Sequence, residues 1–409
     1  MKIFKNCIQI LIGSILIGYF LLSLAYTIPT TNMKSNLSSN IKDFRQEEIY
    51  HHIDKYGHNG MLDNFTDSLM LLQAINESDS YPYVQSLENK RPINNDLDIR
   101  DTIEKYINNE SLDSVNYNRY WHGYLIFLKP LLYLFDYFTI RYINLILQSL
   151  LTLIVVILLI KKTNVLYTLS FLGSLFILQP YITSLSLQYS SVYCITLISS
   201  IFLLIKNKLN KENYIYIFLI IGILTSYFDL LTYPIITFGI PAVIFLVLNK
   251  EEVIFLDFIK IGLAWASGYL GMWIGKWILT SLILNINVFK IAFETISFRT
   301  SSSAMSQDIS RLETVKSNYL YGLNKNVIIV NGLLFIINSI IIFIKKYQFN
   351  LNKKIILPLI ILILAPTIWI FITANHASIH YFYTHKSIAI SVFATYALIF
   401  NNYSARSRK

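Results

Sequence analysis

Apolar runs of membrane-spanning length alternate with short hydrophilic breaks over most of this chain, and the breaks are of two kinds. One kind is basic: Lys161-Lys162, then Lys206, Lys208 and Lys211, then Lys250, then Lys345, Lys346, Lys353 and Lys354. Lys2 and Lys5 precede the first run, and Arg406, Arg408 and Lys409 follow the last. The other kind carries isolated carboxylates and histidines. Basic residues in short loops stay cytoplasmic, so the first kind fixes an orientation and places the second kind outside. The first run, Ile8 to Tyr26, exceeds a signal-peptide core of about 7–15 residues and reads as an uncleaved span. Further runs lie at 139–160, 165–183, 186–205, 214–231, 233–249, 254–284, 326–344, 355–373 and 378–399. Together they predict about ten helical spans of about 20 residues, both termini cytoplasmic. The 254–284 run is too long for one straight crossing and must tilt or project above the bilayer.

Two hydrophilic regions face outward on this topology. The first begins at residue 30, and its apolar periodicity (Leu62, Leu69, Leu72; Ile99, Ile103, Tyr106, Ile107) predicts a small helical domain. It ends in the aromatic segment Trp121–Phe135, which Lys129-Pro130 interrupts and which is short for a crossing. A crossing there would also put Lys161-Lys162 outside, so the segment reads as an interfacial helix. The second region, 285–325, carries Arg299, the Thr300–Ser303 run, Arg311 and Glu313. The expected organisation is a first span (1–29), an extracytoplasmic loop domain with interfacial helix (30–138), a transmembrane bundle (139–284), a second outer loop (285–325), and C-terminal spans with a basic tail (326–409).

Composition agrees with an all-α polytopic membrane protein: 54% of the 409 residues are apolar, 14% are charged, and mean hydropathy is +0.50. The net charge of +10 is concentrated in the orienting loops, so it gives no reason to expect a nucleic-acid partner. Cys7 and Cys194 fall at different depths and have no Cys or His neighbour at ligand spacing, which argues against a disulfide or a cysteine metal site.

The candidate chemistry sits in the outward breaks. Asp63 and Asp67, spaced i,i+4, would share a helix face and serve as a general base and its orienting partner. Asp67, next to the apolar Leu69–Leu72 run that docks the helix, is the expected base. Arg119 and His122 at the mouth of the membrane suit a phosphate headgroup. Asp229 lies in the tight turn Tyr227–Pro234, as a substrate ligand or a helix cap. Lys276 lies within a span, among Gly268, Gly271 and Gly275, whose small-residue face permits close helix packing. An intramembrane lysine is a functional candidate, here for an anion. His376, His380 and Tyr383 follow i,i+4,i+7 near the outer surface. A transition metal would need a third close ligand, so an anion site with Lys276, Arg299 and His122 is the simpler expectation, with no cofactor and no metal assigned. Walker and Rossmann glycine patterns are absent, so the energy for a reaction must reside in the substrate.

A first span, an acidic outer loop, an interfacial helix and an Arg-bearing second span together resemble the GT-C glycosyltransferase superfamily. The likeness is closest over Asp63–Lys162. Asp63-Asn64 and Thr66-Asp67 stand where those enzymes have an acidic motif. His122–Pro130 stands for their Pro-containing interfacial helix, and Phe138-Thr-Ile-Arg-Tyr142 for the Arg-containing entry to the next span. The resemblance implies a GT-C-like bundle in a bacterial cytoplasmic membrane. It implies transfer of a sugar from a polyprenyl-phosphate donor to a glycan or glycolipid acceptor at the outer face. Cations at the rim (Lys276, Arg299, His376, His380) would hold the donor phosphate. An envelope polysaccharide polymerase or ligase, and a transporter of lipid-linked saccharide, are the alternatives. The topology predicts that cysteines introduced at Ser38, Asp96 and Ser302 react with a membrane-impermeant thiol reagent in intact cells, whereas those at Asn164 and Asn210 stay unlabelled.

Overall fold

The computed structural model describes residues 2–53, 60–206, 209–304, 307–349, 352–401 and 403–404. Lys208, Arg406, Arg408 and Lys409, counted above among the orienting cations, lie outside the described residues. The chain is helical nearly throughout. Helix α1 (Lys2–Ala25) leads into an outer domain of α2 (Thr31–Ser38), α3 (Ile41–Gln46), α4 (Asn64–Ile75), α5 (Pro82–Glu88) and α6 (Ile99–Ile107). A short antiparallel pair, β1 (Arg91–Ile93) with β2 (Asp113–Val115), closes this domain in the register Arg91↔Val115. The expectation of a purely helical domain therefore needs this one addition.

Helix α7 (Leu125–Leu134) contains Pro130 and has 10 residues, about 15 Å at 1.5 Å per residue, half a hydrocarbon core. Its length agrees with the interfacial reading. Then follow α8 (Tyr137–Lys162), α9 (Val165–Leu178), α10 (Pro180–Leu185), α11 (Leu187–Ile205), α12 (Lys211–Phe228), α13 (Ile236–Leu248) and α14 (Phe255–Leu284). The C-terminal part comprises α15 (Val288–Arg299), α16 (Arg311–Gly322), α17 (Lys325–Ile344), α18 (Ile356–Ile372), α19 (Ala374–Ile379), α20 (Tyr381–Thr384) and α21 (Ala389–Phe400).

Ten comparable spans are not what forms. Among the described residues five helices are long and apolar enough to cross a membrane: α1, α8, α11, α17, and α18 with its leading turn, Lys353–Ile372. The 165–183 run breaks at Gln179, which takes a left-handed conformation (φ 48°) before Pro180, giving a 14-residue α9 and a 6-residue α10. The 378–399 run breaks into the turns of 380–388 and a 12-residue α21, because the segment around His380 serves the outer end. Both breaks carry polar residues, Gln179 in one and His380, His385 and Lys386 in the other, but the apolar residues around them carry the run past each break.

The three glycines of α14 do face neighbours, but two different ones. Gly268 packs on the Leu219 carbonyl of α12, whose own Gly222 packs on the Trp265 carbonyl, so a side chain at either would collide with backbone. Gly271 and Gly275 accommodate Leu11 and Ile15 of α1. With 30 residues, about 45 Å, α14 stands above its neighbours and reaches the outer domain.

The basic loops share one end of the bundle. Lys211 Nζ donates to Asp257 (2.6 Å), Asn352 to the Lys250 carbonyl (3.1 Å), Lys354 to the Glu251 carbonyl, and β5 (Gln348–Phe349) pairs with β6 (Tyr403–Ser404). At the opposite end, buried polar groups bind the outer domain down. Asp67 is fully buried and accepts from Tyr137 Oη (2.6 Å), Ser186 Oγ (3.1 Å), Leu187 N (2.9 Å) and Gln188 N (3.1 Å). It thereby caps α11 from another domain. Arg141 of α8 reaches Glu47 (2.9 Å) and Asn64 (2.6 Å). Replacement Asp67→Asn turns an acceptor oxygen into a donor facing donors. The expected result is a loss of about 1.5–3 kcal/mol of stability, read as a lowered thermal unfolding midpoint in detergent. An unchanged midpoint would show that this cap is dispensable.

Candidate functional site

A run of large aromatic side chains lies on one stripe of α14. Trp265, Tyr269, Trp273 and Trp277 recur at i,i+4, so their rings stack up the helix with centroids 5.2, 5.3 and 6.0 Å apart. They form one wall of a cleft of about 360 Å³, which Tyr120, Ile296, Trp369 and Leu231 close from other elements. Arg119 and Arg299 also line it. None of the four stripe residues is among the candidates read from the sequence, although their signal is local: large aromatics at a strict four-residue interval, interleaved with the glycines of the same helix.

Arg119 lies over the rings of Tyr117 (4.5 Å) and Tyr120 (5.5 Å), and its Nε has no partner. Trp277 Nε1 donates to the Arg119 carbonyl (2.9 Å), fixing the backbone there. Arg299, ending α15, has its NH1 3.2 Å from His380 Nε2. Among the described residues neither guanidinium has a carboxylate partner, whereas Arg45, Arg100 and Arg141 each have one. Two guanidinium groups without carboxylate partners among the described residues thus line an otherwise apolar cleft.

Beside the cleft, the 373–388 segment forms short turns above α18. His376 Nε2 lies 2.7 Å from the carbonyl of Leu231, a residue held at φ 66°, where an L side chain is strained. A carbonyl only accepts, so His376 carries its proton on Nε2, and its unpartnered Nδ1 is an acceptor. His380 Nε2 faces the Arg299 donor and must accept, so its unpartnered Nδ1 bears the proton. The two rings are 4.9 Å apart and Tyr383 stacks on His380 at 5.1 Å, so the predicted His376–His380–Tyr383 constellation forms although the helix breaks at His380. Burial holds both histidines neutral: it depresses His376 well below its usual value, and burial with Arg299 lowers His380 to about 3. They are hydrogen-bonding groups and not the cations expected.

The remaining candidates separate. Asp229 sits in the turn after α12, accepts from Thr232 N (3.1 Å), and is within electrostatic reach of Tyr120 and Tyr269 at the cleft. Burial raises its carboxyl to about 6 against the opposing Thr232 bonds. Asp63 caps its own helix, accepting from Thr66 N (2.9 Å) and Thr66 Oγ1 (2.8 Å). Two acceptor positions stay open, and burial, with Asp67 adding to it, raises the carboxyl to about 7. Tyr383 feels Asp63, Arg299 and Asp229 together, which brings these four groups to one region. Asp67 belongs elsewhere: with four donors on its two oxygens it has no position left for an acceptor's proton.

His122 and Lys276 are corrected as well. His122 takes φ 56° and its Nε2 donates to the Tyr117 carbonyl (2.9 Å). Burial, with Lys276 nearby, keeps it neutral. Gly123 follows because its N–H meets the Tyr227 carbonyl (2.9 Å) so closely that a side chain would strike the Tyr227 ring. Lys276 is fully buried and donates to the Ser86 carbonyl (2.8 Å), in the last turn of α5, where a cation complements the helix dipole. It does not line the cleft. Among the described residues no group of three or more His, Cys, Asp or Glu is placed to share a metal ion. Lys276→Met is expected to lower stability by about 1–3 kcal/mol through the orphaned carbonyl, and to leave anionic-lipid binding unchanged in a titration with the purified protein. A tenfold loss of binding would return Lys276 to the site. No family model matches the chain, and no curated protein or solved structure matches it.

Proposed function

We propose that this protein is a membrane glycosyltransferase of the GT-C type that takes its sugar from a polyprenyl-phosphate donor. The observation that carries the reading is the pair Arg119 and Arg299, without carboxylate partners among the described residues, at an aromatic-walled cleft. That combination suits one phosphate headgroup with its first isoprene units. With the basic end cytoplasmic, the cleft opens at the outer face of the bacterial cytoplasmic membrane, where no nucleotide sugar is present.

In this mechanism Asp63 takes the role first assigned to Asp67. The acceptor hydroxyl gives its proton to the Asp63 carboxylate and its oxygen bonds to the sugar's anomeric carbon. The bond from that carbon to the phosphate oxygen breaks, and the electron pair leaves on the phosphate, where Arg119 and Arg299 stabilise the developing charge. His376 Nδ1, an acceptor, and His380 Nδ1–H, a donor, provide a matched pair for one sugar hydroxyl.

Arg119→Gln and Arg299→Gln are each expected to weaken binding of a polyprenyl monophosphate about ten- to a hundredfold, equivalent to about 1.5–3 kcal/mol. Binding unaffected in both variants would remove the donor site from this cleft. Transfer measured in proteoliposomes against pH tests the base. A carboxyl at about 7 must be ionised to act, so activity should fall tenfold per unit below pH 7 and level above it. Asp63→Asn should cost about 10²–10⁴-fold and abolish that limb. A limb that persists in Asp63→Asn and vanishes in Asp229→Asn would assign the base to Asp229. The same shift has a stability signature of opposite sense. The folded state holds this proton more tightly than the unfolded chain, so the contribution is complete below about pH 4 and is lost as pH rises through about 7.

A further inference from the structure

A second cavity, of about 640 Å³, opens at the same end of the molecule between α16 and the α19–α20 turns. It is larger than the aromatic cleft and differs from it in chemistry. Its lining offers the side chains of Ser317, Asn324 and Ser378, one carboxylate from Glu313, and the aromatic pair Tyr321 and Tyr381, with no lysine or arginine among the described residues. The two tyrosine rings meet edge to face at 5.0 Å, and Tyr381 presents 38% of its surface to solvent. The Tyr321 hydroxyl has no partner, nor does Nε2 of His385, whose ring lies 4.9 Å from that of Tyr321.

Its position relates it to the site already described. Thr373 lines the aromatic cleft, and Ala377, Ser378 and Tyr381 line the groove, so one short segment contributes to both cavities. That segment, with α19 and its cap, carries His376 and His380.

We infer that this groove is the binding site for an uncharged glycan, the acceptor chain of the transfer proposed above, on which this assignment rests. Short polar side chains supply donors and acceptors for hydroxyl groups, and an exposed aromatic ring offers a face to the C–H surface of a pyranose. The lining itself holds no basic residue, and its one carboxylate, Glu313, is paired with Lys316 (3.4 Å), so the groove offers a phosphate- or uronate-bearing chain no unpaired cation. Arginines on the cleft side and none on the groove side sort an anionic donor from a neutral acceptor.

The test uses the full-length protein in nanodiscs with cellotetraose, maltotetraose and chitotetraose as probes and tetragalacturonate as the charged counterpart. Saturation-transfer NMR should show at least one neutral tetrasaccharide bound and tetragalacturonate at least fivefold weaker. Ser317→Trp fills the groove from an exposed position and should reduce the neutral signal at least fivefold. Tyr381→Ala should do the same, and both variants should bind polyprenyl monophosphate as the parent does. No neutral probe bound, a neutral signal unchanged in both variants, or preference for tetragalacturonate would each overturn the assignment. Saccharide binding that depends on Ser317 and Tyr381 in a protein that fails to bind the lipid phosphate would leave the groove standing and defeat the transferase reading alone.

Discussion

The carboxylate of Asp67 holds the two halves of this protein together. It belongs to the outer domain, yet all of its hydrogen bonds go to the membrane domain: Tyr137 at the start of α8 and the first turn of α11. A helix beginning within an apolar bundle exposes N–H groups that water cannot reach, and each unsatisfied group costs several kcal/mol. A negative charge at that terminus satisfies them and complements the helix dipole. The neighbouring Arg141–Glu47–Asn64 network repeats the device in the opposite direction, a membrane-domain cation reaching into the outer domain. The Arg119–Gly123 segment and α5 add separate anchors, through Trp277 on the Arg119 carbonyl, Gly123 N–H on the Tyr227 carbonyl and Lys276 on the Ser86 carbonyl.

Buried lysines complete the same logic at helix C-termini. Lys129 donates to the Ala74 carbonyl of α4 (2.6 Å), Lys276 to Ser86 of α5 (2.8 Å), and Lys386 to Leu178 of α9 (2.9 Å). Each receiving carbonyl lies in the last turn of a helix that stops short inside the protein. Three lysines that look functional on a hydropathy plot are thus terminators of other helices. Arg91, Arg119 and Arg299 have no carboxylate partner among the described residues, and of these Arg119 and Arg299 line the cleft. A cation's partner, more than its depth, separates structure from function here.

Much of the architecture was legible in the chain. The basic loops gather at one end, α7 is too short to cross, the α14 glycines sit at helix contacts, and His376, His380 and Tyr383 share a neighbourhood. These features depend on local period, length and charge, which a sequence carries directly. The breaks at Gln179 and His380 were hidden because their few polar residues are outweighed by the apolar stretches around them.

Which charge serves which purpose was decided only in three dimensions. Asp63 and Asp67 are one helical turn apart and equivalent by spacing. Asp67 meets α11, 119 or more residues further along the chain, and is consumed by it. Among the described residues Asp63 accepts only from Thr66, which leaves acceptor positions on its carboxylate. Lys276 and Arg299 likewise differ in what lies opposite them, a helix terminus for one and an apolar cleft for the other. The sequence by itself determined a helical membrane protein with a basic end and a polar end, because burial in lipid restricts the backbone to few solutions. Only the tertiary structure decided which polar groups were left unpartnered, because a long-range hydrogen bond depends on a partner whose position no local pattern encodes.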